Sequence, residues 1–293
     1  MSEAIDHRGV EWSRVARAAY LIQQAYRYDY PGAISDLDHR LVIVPPDRFG
    51  DQRRMLHRLT VSQEGEVETT ADGFGNTVVE LRFPRVDRSI EFRAWIAVER
   101  SAGGRPHRVP AQRLRDRRLL EPTQLTQPDE RLAAAADRLA AGGEVGLPLA
   151  RSVNAWVFEA LSYVPGVTGV GTTAAQALAL GRGVCQDYAH VMITLCRLLG
   201  LPARYVSGHL LGEGGTHAWV EVLLPDPDGS GDGAAWPFDP TNGREAGLDY
   251  VTVAVGRDYR DVAPTSGAYL GGPAGRLTSR KRVEVTRLEY LSA

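Results

Sequence analysis

The sequence predicts an α+β chain in which an all-β, sandwich-like half precedes a half built from helices and an antiparallel sheet. Three observations carry this. Short runs rich in β-branched and aromatic residues, split by Pro, Gly, Asp and Asn, fill residues 20–98. A helix-forming run, DERLAAAADRLAA, opens at residue 129. Strand-like patterning then returns between residues 203 and 290. Helices followed by a meander of strands, rather than alternating with them, argue against βαβ units.

In the first half, residues 20–30 (YLIQQAYRYDY) alternate partly with period two and stop at Pro31-Gly32. Further strand runs cover 41–44, 55–61, 77–83 and 90–98, with Asp72-Gly73 and Gly75-Asn76 as turn signals. Short strands at this spacing suit an antiparallel sandwich or barrel. Residues 1–19 read as an extension, helical or loosely attached, and 20–110 as the β domain. The arginine-rich stretch 111–128 reads as a linker with a solvated surface. Residues 129–293 read as a second domain. There Asp129 and Glu130 suit a helix N-terminus, and a helix at 154–163 ends at Pro165-Gly166. Thr172 or Thr173 caps a third helix through Leu180, and Gly181 and Gly183 punctuate its end. Residues 185–199 form a helix stopped by Gly200 and Pro202. Strands are expected at 203–206, 217–224, 235–238, 250–255 and 283–290, with a flexible hairpin loop (DPDGSGDG) at 226–233.

Composition narrows the function. A chain of 293 residues, 43% hydrophobic and 24% charged, can bury a core without a disulfide or metal staple. The net charge of −2 supplies no basic footprint for nucleic acid or an anionic membrane. The polar first residues lead into no apolar signal segment, and no run approaches the ~18 apolar residues of a membrane span. Two cysteines and no secretion signal point to a reducing, cytoplasmic location. The thiols lie eleven positions apart on one predicted helix, roughly 16 Å along its axis, which is beyond disulfide reach.

Each thiol therefore needs its own explanation. Cys196 sits in an apolar run and reads as a small buried hydrophobe. Cys185 has polar neighbours, Gln186, Asp187 and Tyr188, and follows two glycines at a helix start. There the helix dipole and unpaired N–H groups favour thiolate and can hold a developing oxyanion. A thiolate catalyst needs an imidazole and a group to orient it. His217 opens a strand after Gly214-Gly215, and Asp239 closes another. If the two strands pair, both residues fall at one sheet edge, although by spacing alone this signal is weak. His209 is a rival base without an obvious orienting acid. His190 lies five residues beyond Cys185, about 140° around the helix, and points away. These cysteine and histidine positions lack zinc-ligand spacing, nothing resembles a calcium loop, and no cofactor is expected.

In order along the chain, YVPGVT (163–168), GRGVCQDYAH (181–190), GLPARYVSGHL (200–210), THAWVEVLL (216–224) and WPFDPTNG (236–243) resemble the core of the bacterial transglutaminase-like family. GRDYRDVAP (256–264) with Gly267-Ala268-Tyr269 is similar to its C-terminal signature, and DGFGN (72–76) to its N-terminal domain. The likeness covers about residues 20–290. It implies a papain-like core in which the cysteine helix packs on an antiparallel sheet. It also implies Cys185 as nucleophile, His217 as base and Asp239 as orienting acid.

The activity implied is attack on amide, peptide or thioester carbonyls through a thioacyl-enzyme, with a peptidase or amidase preferred. An amide-forming acyltransferase or transglutaminase is the alternative, and a non-catalytic binding protein the third. The expected partner is a peptide, protein or small-molecule amide or thioester; oligomeric state is left open. The Cys185 N–H is one oxyanion donor, with Trp156 or Gln186 as candidates for the second. Tyr188, Trp219, Trp236 and Arg204 read as packing behind the reacting groups. Asp187 is a helix cap or a substrate contact, the cap preferred, and Arg257 with Asp258 an ion pair joining the domains. Three segments depart from the family pattern: residues 1–19, residues 112–127, and the long loop 226–233, expected to affect access to Asp239.

Overall fold

In the first long strand, Val15–Asp29, alternate residues Ala18, Tyr20, Ile22, Gln24 and Tyr26 are buried. That periodicity is what one face of a sheet requires. Gln24 is satisfied inside this apolar row: its amide donates to Ile43 O at 3.1 Å and its carbonyl accepts from Tyr26 OH at 2.9 Å. The computed structural model describes residues 5–103, 106–212, 214–272 and 274–291.

Two antiparallel sheets enclose the first core. One runs in the order Arg276–Tyr290, Val15–Asp29, Ser89–Ser101, Gln52–Val61, Arg48–Phe49. The other runs Thr265–Leu270, Ile34–Leu41, Thr77–Val86, Glu66–Ala71. Ile22, Tyr20, Phe83, Phe92, Ile96 and Leu81 fill the space between them.

The C-terminal strands correct the division at 128/129. Thr265–Leu270 pairs with Ile34–Leu41, and Arg276–Tyr290 pairs along nearly the whole of Val15–Asp29. The chain therefore returns to its first half to finish both sheets. The N-terminal extension is also smaller than the sequence implies, because Val15 and Ala18 already lie buried in the strand. Ahead of them are two short 3₁₀ turns and a bridge from Ile5 to Val285; residues 1–4 lie outside the described residues.

The stretch 111–128 is not a free linker. Leu119, Leu125 and Thr126 are buried, and the Arg197 guanidinium reaches Leu119 O at 3.2 Å and Thr126 Oγ1 at 2.8 Å. Two of its arginines are anchored: Asp116 bonds Arg113 and Arg118, and both guanidiniums lie over the Phe74 ring.

In the second half, helices Glu130–Ala140, Gly146–Ala160 and Ala174–Leu180 surround the helix Cys185–Leu198. Asp129 caps the first through Leu132 N, and Thr173 with Gln176 forms a reciprocal capping box on the third. The Cys185 helix is buried on nearly all sides, as its apolar residues Val191–Ile193, Leu195 and Cys196 allow. Beneath it lies a sheet ordered Arg244–Glu245, Gly233–Asp239, His217–Pro225, Ala203–Leu210, Tyr250–Gly256. Ala218, Val220 and Val222 pack with the helix residues in one core.

Tyr250–Gly256 is the outer strand of that sheet, and side chains of the first half satisfy its open edge. Gln52 donates to Thr252 O at 2.7 Å and accepts from Thr252 N at 2.9 Å. Asn76 does the same to Val255, at 2.7 and 2.8 Å. Two side-chain amides thus stand in for a neighbouring strand. The DGFGN turn, with Gly75 at φ +85°, delivers Asn76 to this place.

Candidate active site

Local chain geometry presents Cys185. Gly181, at φ +61°, ends the preceding helix in the left-handed region. Residues Arg182–Gly183 then pair in parallel with Ser162–Tyr163. The N-cap residue of the next helix is Val184, whose side chain has no acceptor, so capping falls to Asp187. Its Oδ2 accepts from Val184 N at 2.7 Å and from Thr168 Oγ1 at 2.7 Å. A Cβ at Gly183 would lie 2.6 Å from that oxygen, so only glycine leaves room for the cap. Burial raises the Asp187 carboxyl above its ordinary range, against the lowering effect of the Thr168 and Val184 donors. The carboxylate thus holds the entry to the helix. Cys185 itself is only partly buried, at the turn where helical N–H groups have no partner within the helix.

The imidazole and the acid meet at the opposite end of the hairpin from its loop. His217 Nε2 and Asp239 Oδ2 are 2.7 Å apart, with side-chain exposures of 1% and 0%. Asp239 is held on both oxygens. Tyr250 OH at 2.6 Å and Asn242 Nδ2 at 2.7 Å donate to Oδ2, and Thr241 N at 2.9 Å donates to Oδ1. Burial alone raises this carboxyl. The bond and charge of His217, with the Tyr250 and Asn242 donors, outweigh burial and hold it below the ordinary carboxylate value. The His217 ring stacks on Trp219, with centroids 6.2 Å apart, and Trp219 packs edge-on against Tyr250. Gly208, paired with His217 in register, has a close neighbour in Trp219: a Cβ there would lie 2.4 Å from the indole.

The cysteine helix packs on the His217 and Ala203–Leu210 strands. Lys281 Nζ lies 3.4 Å from Thr216 Oγ1, the residue before His217. Cys196 is fully buried, and burial pushes its thiol up to about 12, the environment of an inert cysteine.

Several expectations change. Loop 226–233 lies at the far end of the strand Gly233–Asp239, roughly 20 Å from Asp239 at strand rise. It therefore does not govern access to that residue; instead Asp226, Asp228 and Asp232 surround Arg108. Trp156 lines a groove with Glu130, Arg131, Ala134, Arg138 and Leu178, among the helices. Gln186 spends its amide on Val170 O at 3.3 Å. Tyr188 donates to Leu161 O at 2.8 Å and is structural. Arg257 pairs with Asp261 at 2.8 Å rather than with Asp258, which caps the turn Tyr259–Asp261. Arg204 forms a buried pair with Glu221 at 2.6 Å.

The rival histidines hold other positions. His190 is buried, accepts from Tyr259 N at 3.2 Å, and is lowered to about 3 by burial. His209 is buried and lowered to about 4. Among the described residues, no group of three or more His, Cys, Asp or Glu side chains is gathered to hold a metal. No helix of the described residues is long and apolar enough to cross a membrane. The sequence gives no sign of Tyr250, whose bond to Asp239 depends on strands that meet only in the fold. Asn242, three residues after Asp239, carried a readable signal as an Asx-turn partner.

Comparison with known proteins agrees with this architecture. Residues 133–240 match the Transglutaminase-like superfamily, and residues 20–99 match the bacterial transglutaminase-like N-terminal region. An uncharacterized protein of Mycobacterium leprae is 39% identical over 180 residues, covering 58% of this chain and 61% of that relative, so the chain spans about three-fifths of its length. An uncharacterized protein of Mycobacterium tuberculosis is 26% identical over 283 residues, covering 85% of this chain and 86% of the relative. A crystal structure from Cytophaga hutchinsonii, named a "putative cysteine protease", shares the fold at a TM-score of 0.75 and 22% identity, covering 94% of this chain and 93% of that one. With both characteristic segments in order, on a papain-like α+β fold, the chain belongs to the bacterial transglutaminase-like family.

Proposed function

We propose that this chain hydrolyses peptide or amide bonds through a thioacyl-enzyme formed on Cys185. The observation that carries the reading is the buried His217–Asp239 couple, with its 2.7 Å bond, set beside the helix that begins at Cys185. Because Nε2 is held by Asp239, Nδ1 is the ring nitrogen that takes the Sγ proton. The thiolate attacks the carbonyl carbon, and the carbonyl electrons move to oxygen, which the N–H groups of the first helical turn stabilise. Collapse expels the amine, which takes the proton from Nδ1. A water molecule then gives its proton to Nδ1 and attacks the thioester, releasing the acid and restoring the thiol. Asp239 fixes the imidazole tautomer and balances the imidazolium. A thioester donor enters by the same first step, with a thiol as leaving group.

The test is alkylation by iodoacetamide at neutral pH, followed by peptide mass mapping. The wild type takes one label, on Cys185; Cys185→Ala takes none, because Cys196 is buried; His217→Ala reacts at least tenfold more slowly. Label persisting on Cys196 in Cys185→Ala would sink the assignment. With a turnover substrate, an amide product on adding a primary amine, in place of the acid, would reassign the second step to acyl transfer.

A further inference from the structure

Lys281 is the single lysine of the chain; the other 33 of its 34 basic residues are arginines. It lies opposite Gln24 in the inward row of the strand Arg276–Tyr290, partly buried, while its neighbours Arg280 and Arg282 are exposed. Its Nζ lies 3.4 Å from Thr216 Oγ1 and 5.3 Å from the centre of the Tyr26 ring. Thr216 immediately precedes His217, so a strand of the first half places an amine beside the chemistry of the second. Cys185 acts on that amine electrostatically, and among the described residues no carboxylate figures with it.

A cation drawn partly out of water, without a counter-ion, bears a desolvation cost that an arriving negative charge offsets. In a thiolate–imidazolium pair the thiolate is already balanced by His217. Lys281 therefore sets a surplus positive charge beside the residue that precedes His217.

We propose that Lys281 is an anion-binding, specificity-determining residue of the acyl site, selecting acyl donors that carry a carboxylate near the scissile carbonyl. The proposal rests on Cys185 being the nucleophile. Burial lowers the Lys281 ammonium to about 8, so the surplus charge is present below that pH and is lost as pH rises through it. The other titratable groups facing the amine are Cys185, His209, Tyr26 and, next to Thr216, His217. Burial keeps His209 neutral near pH 7 and raises the Tyr26 phenol. Lys281 thus remains as the group whose charge changes between pH 7 and 9.

Two alkylating reagents test this without a known substrate. Iodoacetate and iodoacetamide both alkylate sulfur through their methylene carbon with loss of iodide, leaving a carboxymethyl or a carbamoylmethyl group, and differ in charge. The rate ratio, iodoacetate over iodoacetamide, is read at the Cys185 peptide by mass spectrometry. At pH 7 the wild type exceeds the ratio of a small thiol in the same buffer. Lys281→Met lowers it about tenfold, the effect of removing one unit charge several Å from the anion at intermediate dielectric. Lys281→Arg keeps the ratio at pH 7 and also at pH 9, where the wild type has lost it, because guanidinium does not titrate there. Lys281→Gln replaces the Met variant if that fails to fold. A ratio unchanged by neutralising Lys281, while both reagents still alkylate Cys185, overturns this proposal alone. Failure of both reagents at Cys185 overturns the nucleophile as well.

Discussion

Asp239 shows how burial and hydrogen bonding compete at one carboxylate. Burial would protonate it, yet His217, Tyr250 and Asn242 keep it charged. Its folded pKa lies below the unfolded value of about 4, so its contribution to stability is complete above that pH and is lost as pH falls through the folded value. Tyr250→Phe removes one donor and moves the folded value up. The acid unfolding midpoint, followed by tryptophan fluorescence, should shift to higher pH, with about 1–2 kcal/mol lost at pH 7; an unchanged midpoint would show that the phenol contributes nothing. Asp239→Asn should retain the fold while kcat/KM falls about a thousandfold, because the amide does not hold the imidazole in the needed tautomer. A residue-level reading of the sequence reached Asp239 through the WPFDPTNG block. It did not reach Tyr250, eleven residues on, because the strand carrying it lies at the far edge of the sheet, with two strands between it and that of Asp239.

At the level of elements, legibility followed burial pattern. Glu130–Ala140 was readable because an acidic cap and a helix-forming run coincide. The strand Glu66–Ala71 was not, because every residue in it is exposed and its sequence lacks an apolar alternation. Residues 111–128 read as linker because the few residues that anchor them, Leu119, Leu125 and Thr126, are diluted by arginine. The cysteine helix was legible from its glycines, and their use is specific. Gly183→Ala forces a Cβ into the Asp187 carboxylate, so the cap must shift. Melting temperature should fall by several degrees for the roughly 1–3 kcal/mol involved, and Cys185 alkylation should slow in parallel. A variant that keeps both would contradict the role assigned to the cap.

For the whole molecule, neither half is complete alone. The C-terminal strands finish the sheets of the first half, and Gln52 and Asn76 finish the open edge of the catalytic sheet. Such pairings are invisible to local pattern, which explains why the sequence division placed residues 265–290 with the wrong sheets. Asn76→Ala leaves a buried backbone N–H and C=O of Val255 unmet, and urea unfolding should show a loss of about 2–4 kcal/mol; a loss under 0.5 kcal/mol would mean the halves are held together by apolar contact alone.

The central claim, a thioacyl-enzyme on Cys185, is tested most directly by intact-mass analysis after acid quenching with a panel of peptide, amide and thioester donors. The account predicts one added acyl mass that maps to Cys185, is absent in Cys185→Ala and disappears with time in water. An acyl group mapping to any other residue, or no adduct from any donor while Cys185 remains alkylatable, would contradict it.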